Sequence, residues 1–268
     1  MYGTTLNYDS HFFISGGSLP RTELSGIESL DISYQNSQTT TNPLGYNRGV
    51  TTIAGPTSQN VSFSRFLIYD DPVLSFTGAN DPIRGSFNYD DNASYGFNSG
   101  YLVSYSVNCA VGAIPKVNAS FAVYDEMKSG AKVAGNTTIS TFIPSQGSIT
   151  ATCDNTTTSR VVGFDYSLTT KKIPYYTIGK EYPCEVKHID PIEYTASVQL
   201  EVDDVFLESG YSFLQTGKEN RTVTFDINGR DGTNLQSLSI PNASLVSESL
   251  NASAEGVVKL TLNYVGHQ

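Results

Sequence analysis

Tryptophan is absent from the 268 residues, methionine occurs twice, and histidine and cysteine occur three times each. Without tryptophan the chain lacks the aromatic platform that sugar-binding sandwiches often expose. Lys and Arg number 16 against 26 Asp and Glu, a formal net charge of −10. That balance argues against a phosphate-binding surface, which needs clustered cations. Charged residues are scarce altogether, at 16% against about 25% in an average soluble protein. Cys109, Cys153 and Cys184 are odd in number and widely spaced, so they spell neither a disulfide framework nor a zinc knuckle. Synthesis in a reducing compartment is the simpler expectation. No apolar run approaches the roughly 18–20 residues of a membrane-spanning helix, and Met1 to Leu30 carries no basic-then-apolar leader, so no membrane partner is expected. The motifs HExxH, GxSxG, the P-loop and a strand-to-helix GxGxxG are also missing. No cofactor is expected.

What is present is alternation. An apolar fraction of 38%, with 17 Tyr and 13 Phe, suffices for a core. In Tyr194 to Asp203, Tyr194, Ala196, Val198, Leu200 and Val202 point one way, while Thr195, Ser197, Gln199, Glu201 and Asp203 point the other. This period of two predicts a strand with one face on a core and one in water. Val117–Tyr124 and Val258–Tyr264 repeat it. Turn residues separate such runs, as at Asn228-Gly229, Asp231-Gly232 and Asp71-Pro72. Only Val205–Gln215 could hold a short helix. The predicted class is all-β, and the length fits one large domain or two small ones.

The chain also resembles itself. Leu102-Val-Ser-Tyr-Ser-Val-Asn108 matches Leu245-Val-Ser-Glu-Ser-Leu-Asn251, 143 residues later, at five of seven positions. Val61–Asp71 lies against Tyr194–Asp204 at a separation of 133, both ending in Asp-Asp. Leu30–Ser33 matches Phe164–Ser167, and each is followed by a polar loop containing proline. Matches in the same order at similar spacing predict a duplication. The halves would be residues 1–127 and 136–268, joined by a small, flexible linker at 128–135.

Candidate chemistry is thin. Cys184 and His188 would lie about 13 Å apart on a strand, too far for a shared metal. Asp70-Asp71 and Asp203-Asp204 read as strand ends entering turns rather than as catalytic carboxylates, and Asp90-Asp91-Asn92 lacks calcium-loop spacing. Eight Asn-x-Ser/Thr triplets are what an Asn-, Ser- and Thr-rich chain makes by chance. No enzymatic activity is expected. Tyrosine among Ser, Gly and Asn suits either a recognition surface or subunit contacts.

The closing stretch, Leu238–Asn251 followed by Gly256-Val-Val-Lys-Leu-Thr-Leu-Asn-Tyr264, resembles the end of the tail tube proteins of long-tailed bacteriophages. The first half carries its counterpart from Tyr101 to Tyr124. The resemblance implies two tandem β-sandwich or half-barrel domains with at most short helices. It implies homotrimeric rings with pseudo-sixfold symmetry (hexamers being the alternative), stacked into a virion tail tube and assembled in the bacterial host cytoplasm. Its partners would be further copies of itself, other tail proteins, and viral DNA passing through the lumen without specific binding. The expected lumen-facing residues are Ser62, Ser64, Asp70, Thr195, Ser197, Gln199, Glu201 and Asp203. Loops Gln35–Arg48 and Thr169–Lys180, with Pro43, Tyr46, Arg48, Pro174, Tyr175 and Tyr176, would meet the neighbouring ring. Rival readings are a terminator, distal tail or decoration protein, or a receptor- or carbohydrate-binding sandwich.

Overall fold

Strand alternation organises nearly the whole chain, which is all-β and lacks any helix of seven or more residues among those described. The computed structural model describes residues 10–17, 19–35, 38–41, 45, 50–53, 57–67, 71–78, 80–88, 94–129, 149–153, 156–202, 220–229, 231–252 and 256–268. The first half contains β1 (His11–Gly16), β2 (Leu19–Glu23), β3 (Ile27–Gln35), β4 (Gln38–Thr41), β5 (Val50–Ile53) and β6 (Ser58–Phe66). It continues with β7 (Ile83–Asn88), β8 (Ser94–Ala110), β9 (Lys116–Val123) and β10 (Lys128–Ser129). The second half contains β11 (Ile149–Cys153), β12 (Thr156–Thr158), β13 (Val161–Tyr175), β14 (Glu185–Glu201), β15 (Arg221–Asn228), β16 (Asn234–Asn251) and β17 (Lys259–His267). The candidate helix at Val205–Gln215 lies outside the described residues. A short 3₁₀ turn, Pro72–Phe76, follows β6; Asp71 caps it by accepting from the Val73 N–H, and proline sits at its first position.

Antiparallel pairing places β3, β6, β9, β8, β7, β1 and β2 side by side in the first half. In the second half β13, β14, β17, β16, β15, β11 and β12 stand in the corresponding order. The registers coincide as well. Leu102 faces Phe121 and Leu245 faces Tyr264, both offset by 143, and a bulge follows at once in each half, before Ser104 and before Ser247. A second bulge separates Ile83 from Gly85 and, likewise, Arg221 from Val223. Shared bulges are informative because each needs one extra residue at one particular rung.

Register corrects one of the sequence matches. Val61 faces Phe121, and the residue facing its counterpart Tyr264 is Ala196. The offset on this strand is therefore 135 rather than 133, and the two Asp-Asp pairs do not correspond. A shift of two leaves every side chain on the same face, so alternation alone could not detect it. A second correction concerns the loop expected at Thr169–Lys180. Strand β13 continues to Tyr175, which pairs with Glu185, and the ribbon turns only at 176–184. The β4–β5 ladder, Gln38 opposite Ile53 and Thr41 opposite Val50, repeats the far end of this ribbon, where Lys172 faces His188 and Tyr175 faces Glu185. Of the expected linker, Lys128 and Ser129 pair with β8 as β10; residues 130–148 lie outside the description.

Each half folds its sheet back on itself. Residues 94–100 of β8 pair with β7 and residues 100–108 with β9, so one long strand serves two layers. The layers meet through aromatic rings: Phe12 lies 5.8 Å from Phe63 in the first half, and Phe164 stacks on Phe225 at 5.2 Å in the second. At the bend the two halves fill the same space differently. A Cβ on Gly85 or Gly100 would run into the Phe97 ring. At the matching rungs stand Val223, Ala243 and Ile240, two larger residues around a smaller one. That is volume compensation of the kind close packing requires.

The halves join through β8 and β13. Tyr105 faces Leu168, Val107 faces Tyr166 and Cys109 faces Phe164 on the core side, and one cluster of buried apolar residues runs through both halves.

Candidate functional site

The joint makes a continuous run of eight strands, β3-β6-β9-β8-β13-β14-β17-β16. One side of the run is core: Val61, Phe63, Val117, Phe121, Tyr105, Val107, Phe164, Tyr166, Val198 and Leu262 are all buried there. Alternation then forces the intervening residues to the other side. These are Asp31 and Ser33, Asn60, Ser62 and Ser64, Asn118 and Ser120, and Ser104, Ser106 and Asn108 in the first half. In the second they are Asp165, Ser167 and Thr169, Thr195, Ser197, Gln199 and Glu201, Thr261 and Asn263, and Ser247, Ser249 and Asn251; two apolar residues share the face, Val265 opposite Thr195 and Ala122 opposite Asn60.

Cross-strand hydrogen bonds tie this face together. Ser29 and Ser64 hydroxyls approach to 2.7 Å, Ser120 donates to Asn60 Oδ1 at 2.9 Å, Ser167 and Thr195 meet at 2.7 Å, and Asn263 Nδ2 donates to Ser247 at 2.7 Å. Such side-chain pairs are the unit of sheet stabilisation, about 0.2–1 kcal/mol each. A shallow groove lined by Asn108, Asp165, Ser197 and Gln199 runs over the joint. Asp31, Asp165, Glu193 and Glu201 give the face acidic groups. Its lysines, Lys116 and Lys259, occupy the same rung in the two halves: Lys116 is paired with Glu28, and Lys259 stands opposite Glu201. Among the described residues of this face no cations cluster to hold a phosphate backbone.

Of the residues singled out in the sequence, Ser62, Ser64, Thr195, Ser197, Gln199 and Glu201 all lie on this face; Asp70 and Asp203 lie outside the described residues. Pro174 and Tyr175 end β13 and exposed Tyr176 follows at the ribbon tip, while Pro43, Tyr46 and Arg48 lie outside the description. The polar positions of β8, β13 and β17 carry the same alternation and were legible by the same rule. Cys184, whose thiol donates to the Tyr175 carbonyl at 3.1 Å, lies at the ribbon tip away from the face. Among the described residues no three His, Cys, Asp or Glu side chains converge as metal ligands.

A buried polar knot beneath the joint escaped sequence reasoning. Arg65 Nη2 lies 3.0 Å from Asp71 Oδ2, both side chains fully buried, and the Tyr105 hydroxyl donates to the same oxygen at 3.0 Å. The Asp71 N–H donates across the joint to Gln236 Oε1 at 2.9 Å. Burial, helped by the neighbouring carboxylate, holds the Tyr105 phenol well above its ordinary value, so it remains a donor. The counterparts of Arg65 and Tyr105 in the second half are Leu200 and Glu248, so this knot belongs to the first half alone.

No known family model matches the chain, and no curated protein matches it in sequence.

Proposed function

We propose that this chain is a structural virion protein of the tail tube of a long-tailed bacteriophage. Three copies close into a ring of six sheet modules, and stacked rings form a conduit for genome ejection. The observation that carries the reading is one seven-strand topology occurring twice, joined edge to edge into an eight-strand run with a mostly polar face. A doubled module supports a ring of pseudo-equivalent steps, because the joint inside the chain is a head-to-tail contact that a further copy can repeat. A hydroxyl- and amide-lined wall with few lysines suits a bore through which DNA slides, since clustered cations would hold phosphates by counterion release.

In this reading Ser62, Ser64, Thr195, Ser197, Gln199 and Glu201 line the lumen, and the ribbon tip with Tyr175, Tyr176 and the fully exposed Ile178 reaches the neighbouring ring. Electron microscopy of the purified protein tests it. Rings or tubes with six densities per layer around an open channel are expected; a monodisperse monomer, or an assembly whose polar face lies on the outer wall, would refute it.

A further inference from the structure

The joint between the halves consists of two strand edges, and each has a counterpart elsewhere in the chain. Within the joint, β8 from Ser104 to Ala110 pairs with β13 from Thr169 to Gly163. The counterpart of β8 is β16, offset by 143; the counterpart of β13 is β3, offset by 134. Among the described residues, β3 pairs only with β6. Over residues 244–251, β16 pairs only with β17. These two edges end the eight-strand run on its two sides. The apolar residues beside them are uncovered: Tyr34 is 53% and Leu250 55% exposed, whereas Leu168 and Val107, in the same places within the joint, are 1% and 0% exposed. A long strand edge with exposed apolar neighbours is a template for another strand.

We propose that β16 of one chain pairs antiparallel with β3 of the next copy in the register of the internal joint. Ser247 then stands opposite Gln35, Ser249 opposite Ser33 and Asn251 opposite Asp31 on the polar face. On the core side Leu250 covers Ile32, and Glu248 meets Tyr34, where a phenol donor beside a carboxylate takes the place of the Tyr105–Leu168 contact. The two edges are different surfaces, so the contact is heterologous and each added copy presents a fresh edge. The partner is therefore a second copy of this chain, and the inference rests on the self-assembly reading above.

Paired cysteines read the register directly, because directly opposed residues fall within the Cα separation a disulfide can span. In a Cys184→Ser background, Ser33→Cys with Ser249→Cys is expected to give a reducible ladder of covalent multimers under mild oxidation. Ser33→Cys with Ser247→Cys, displaced by two rungs, is expected to give at least tenfold less. An equal yield from both pairs, or assembly without crosslinking from either, overturns the pairing. Microscopy of the same samples separates the two readings: crosslinked strings without a channel support the pairing and refute the tube, whereas channelled rings without crosslinks refute the pairing alone. Tyr34→Lys with Leu250→Lys places charge on both edges, and is expected to abolish assembly while leaving the melting temperature of the monomer unchanged. Assembly that survives this double substitution also overturns the pairing.

Discussion

Replacing Asp71 by Asn tests the buried knot beneath the joint. The substitution keeps the shape and the Oδ1 acceptor for the Val73 N–H, but puts an uncharged NH2 donor in place of Oδ2, which accepts from the Tyr105 hydroxyl and lies 3.0 Å from the buried Arg65 guanidinium. An uncompensated buried charge costs about 3–5 kcal/mol. The Tyr105 hydroxyl also loses its carboxylate acceptor, a smaller loss of roughly 1 kcal/mol. Taking about 5 kcal/mol in all, and roughly 2–4 °C per kcal/mol for a chain of this size, the melting temperature should fall by about 10–20 °C.

The second half indicates how to reverse the loss. At the rung of Arg65 it carries Leu200, which is also fully buried, so an apolar residue fits that site. Arg65→Met combined with Asp71→Asn removes the stranded charge with an unbranched side chain of similar reach, and should recover all but about 1–2 kcal/mol. Urea titration of the wild type, both single variants and the double variant yields the coupling energy. The reasoning fails if Asp71→Asn lies within about 1 kcal/mol of the wild type, or if the double variant is no more stable than Asp71→Asn.

Three further outcomes are expected. Gly100→Ala should destabilise by about 1–3 kcal/mol through its clash with Phe97, and adding Phe97→Ile should restore most of that, as Ala243 beside Ile240 already does in the second half; thermal melts of the three variants decide. Burial raises the folded-state pKa of Tyr105 and of Tyr166 above the ordinary phenol value of about 10. The folded state therefore holds these protons more tightly than the unfolded chain, so their contribution is intact below about pH 10 and declines as pH rises through the folded values; urea midpoints should fall from about pH 9 to about pH 11, less steeply in Tyr105→Phe. Lysines introduced at Ser167, Thr195 and Ser197 should convert the polar face from indifferent to phosphate-binding, with duplex DNA retarded at low salt and released by added salt; unchanged migration would contradict the charge argument.

The strands and their two faces were written in the sequence, because a period of two is a local property and side chains alternate wherever the chain is extended. The match between Leu102–Asn108 and Leu245–Asn251 was legible for the same reason, and its offset is kept even through the bulge. The polar face followed at once, since Thr195, Ser197 and Gln199 can only oppose Ala196 and Val198. The far end of the β13–β14 ribbon did not read as strand. Residues Thr169-Thr-Lys-Lys172 are polar throughout and so show no alternation, although Thr170 is buried beside the joint with its hydroxyl donating to the Leu102 carbonyl; only beyond it does the two-stranded ribbon leave the core. The match of Val61 to Tyr194 instead of Ala196 was invisible to a pattern that repeats every two residues; only the hydrogen-bonded partner Phe121 decided it.

Tertiary structure alone decided that β8 would meet β13, bringing Asp71 to Gln236 across 165 residues of chain. It also decided that Arg65 would be an interior cation. A lone arginine within an alternating strand carries no mark of its counter-ion, because the carboxylate lies past the end of the strand, at the cap of the 3₁₀ turn.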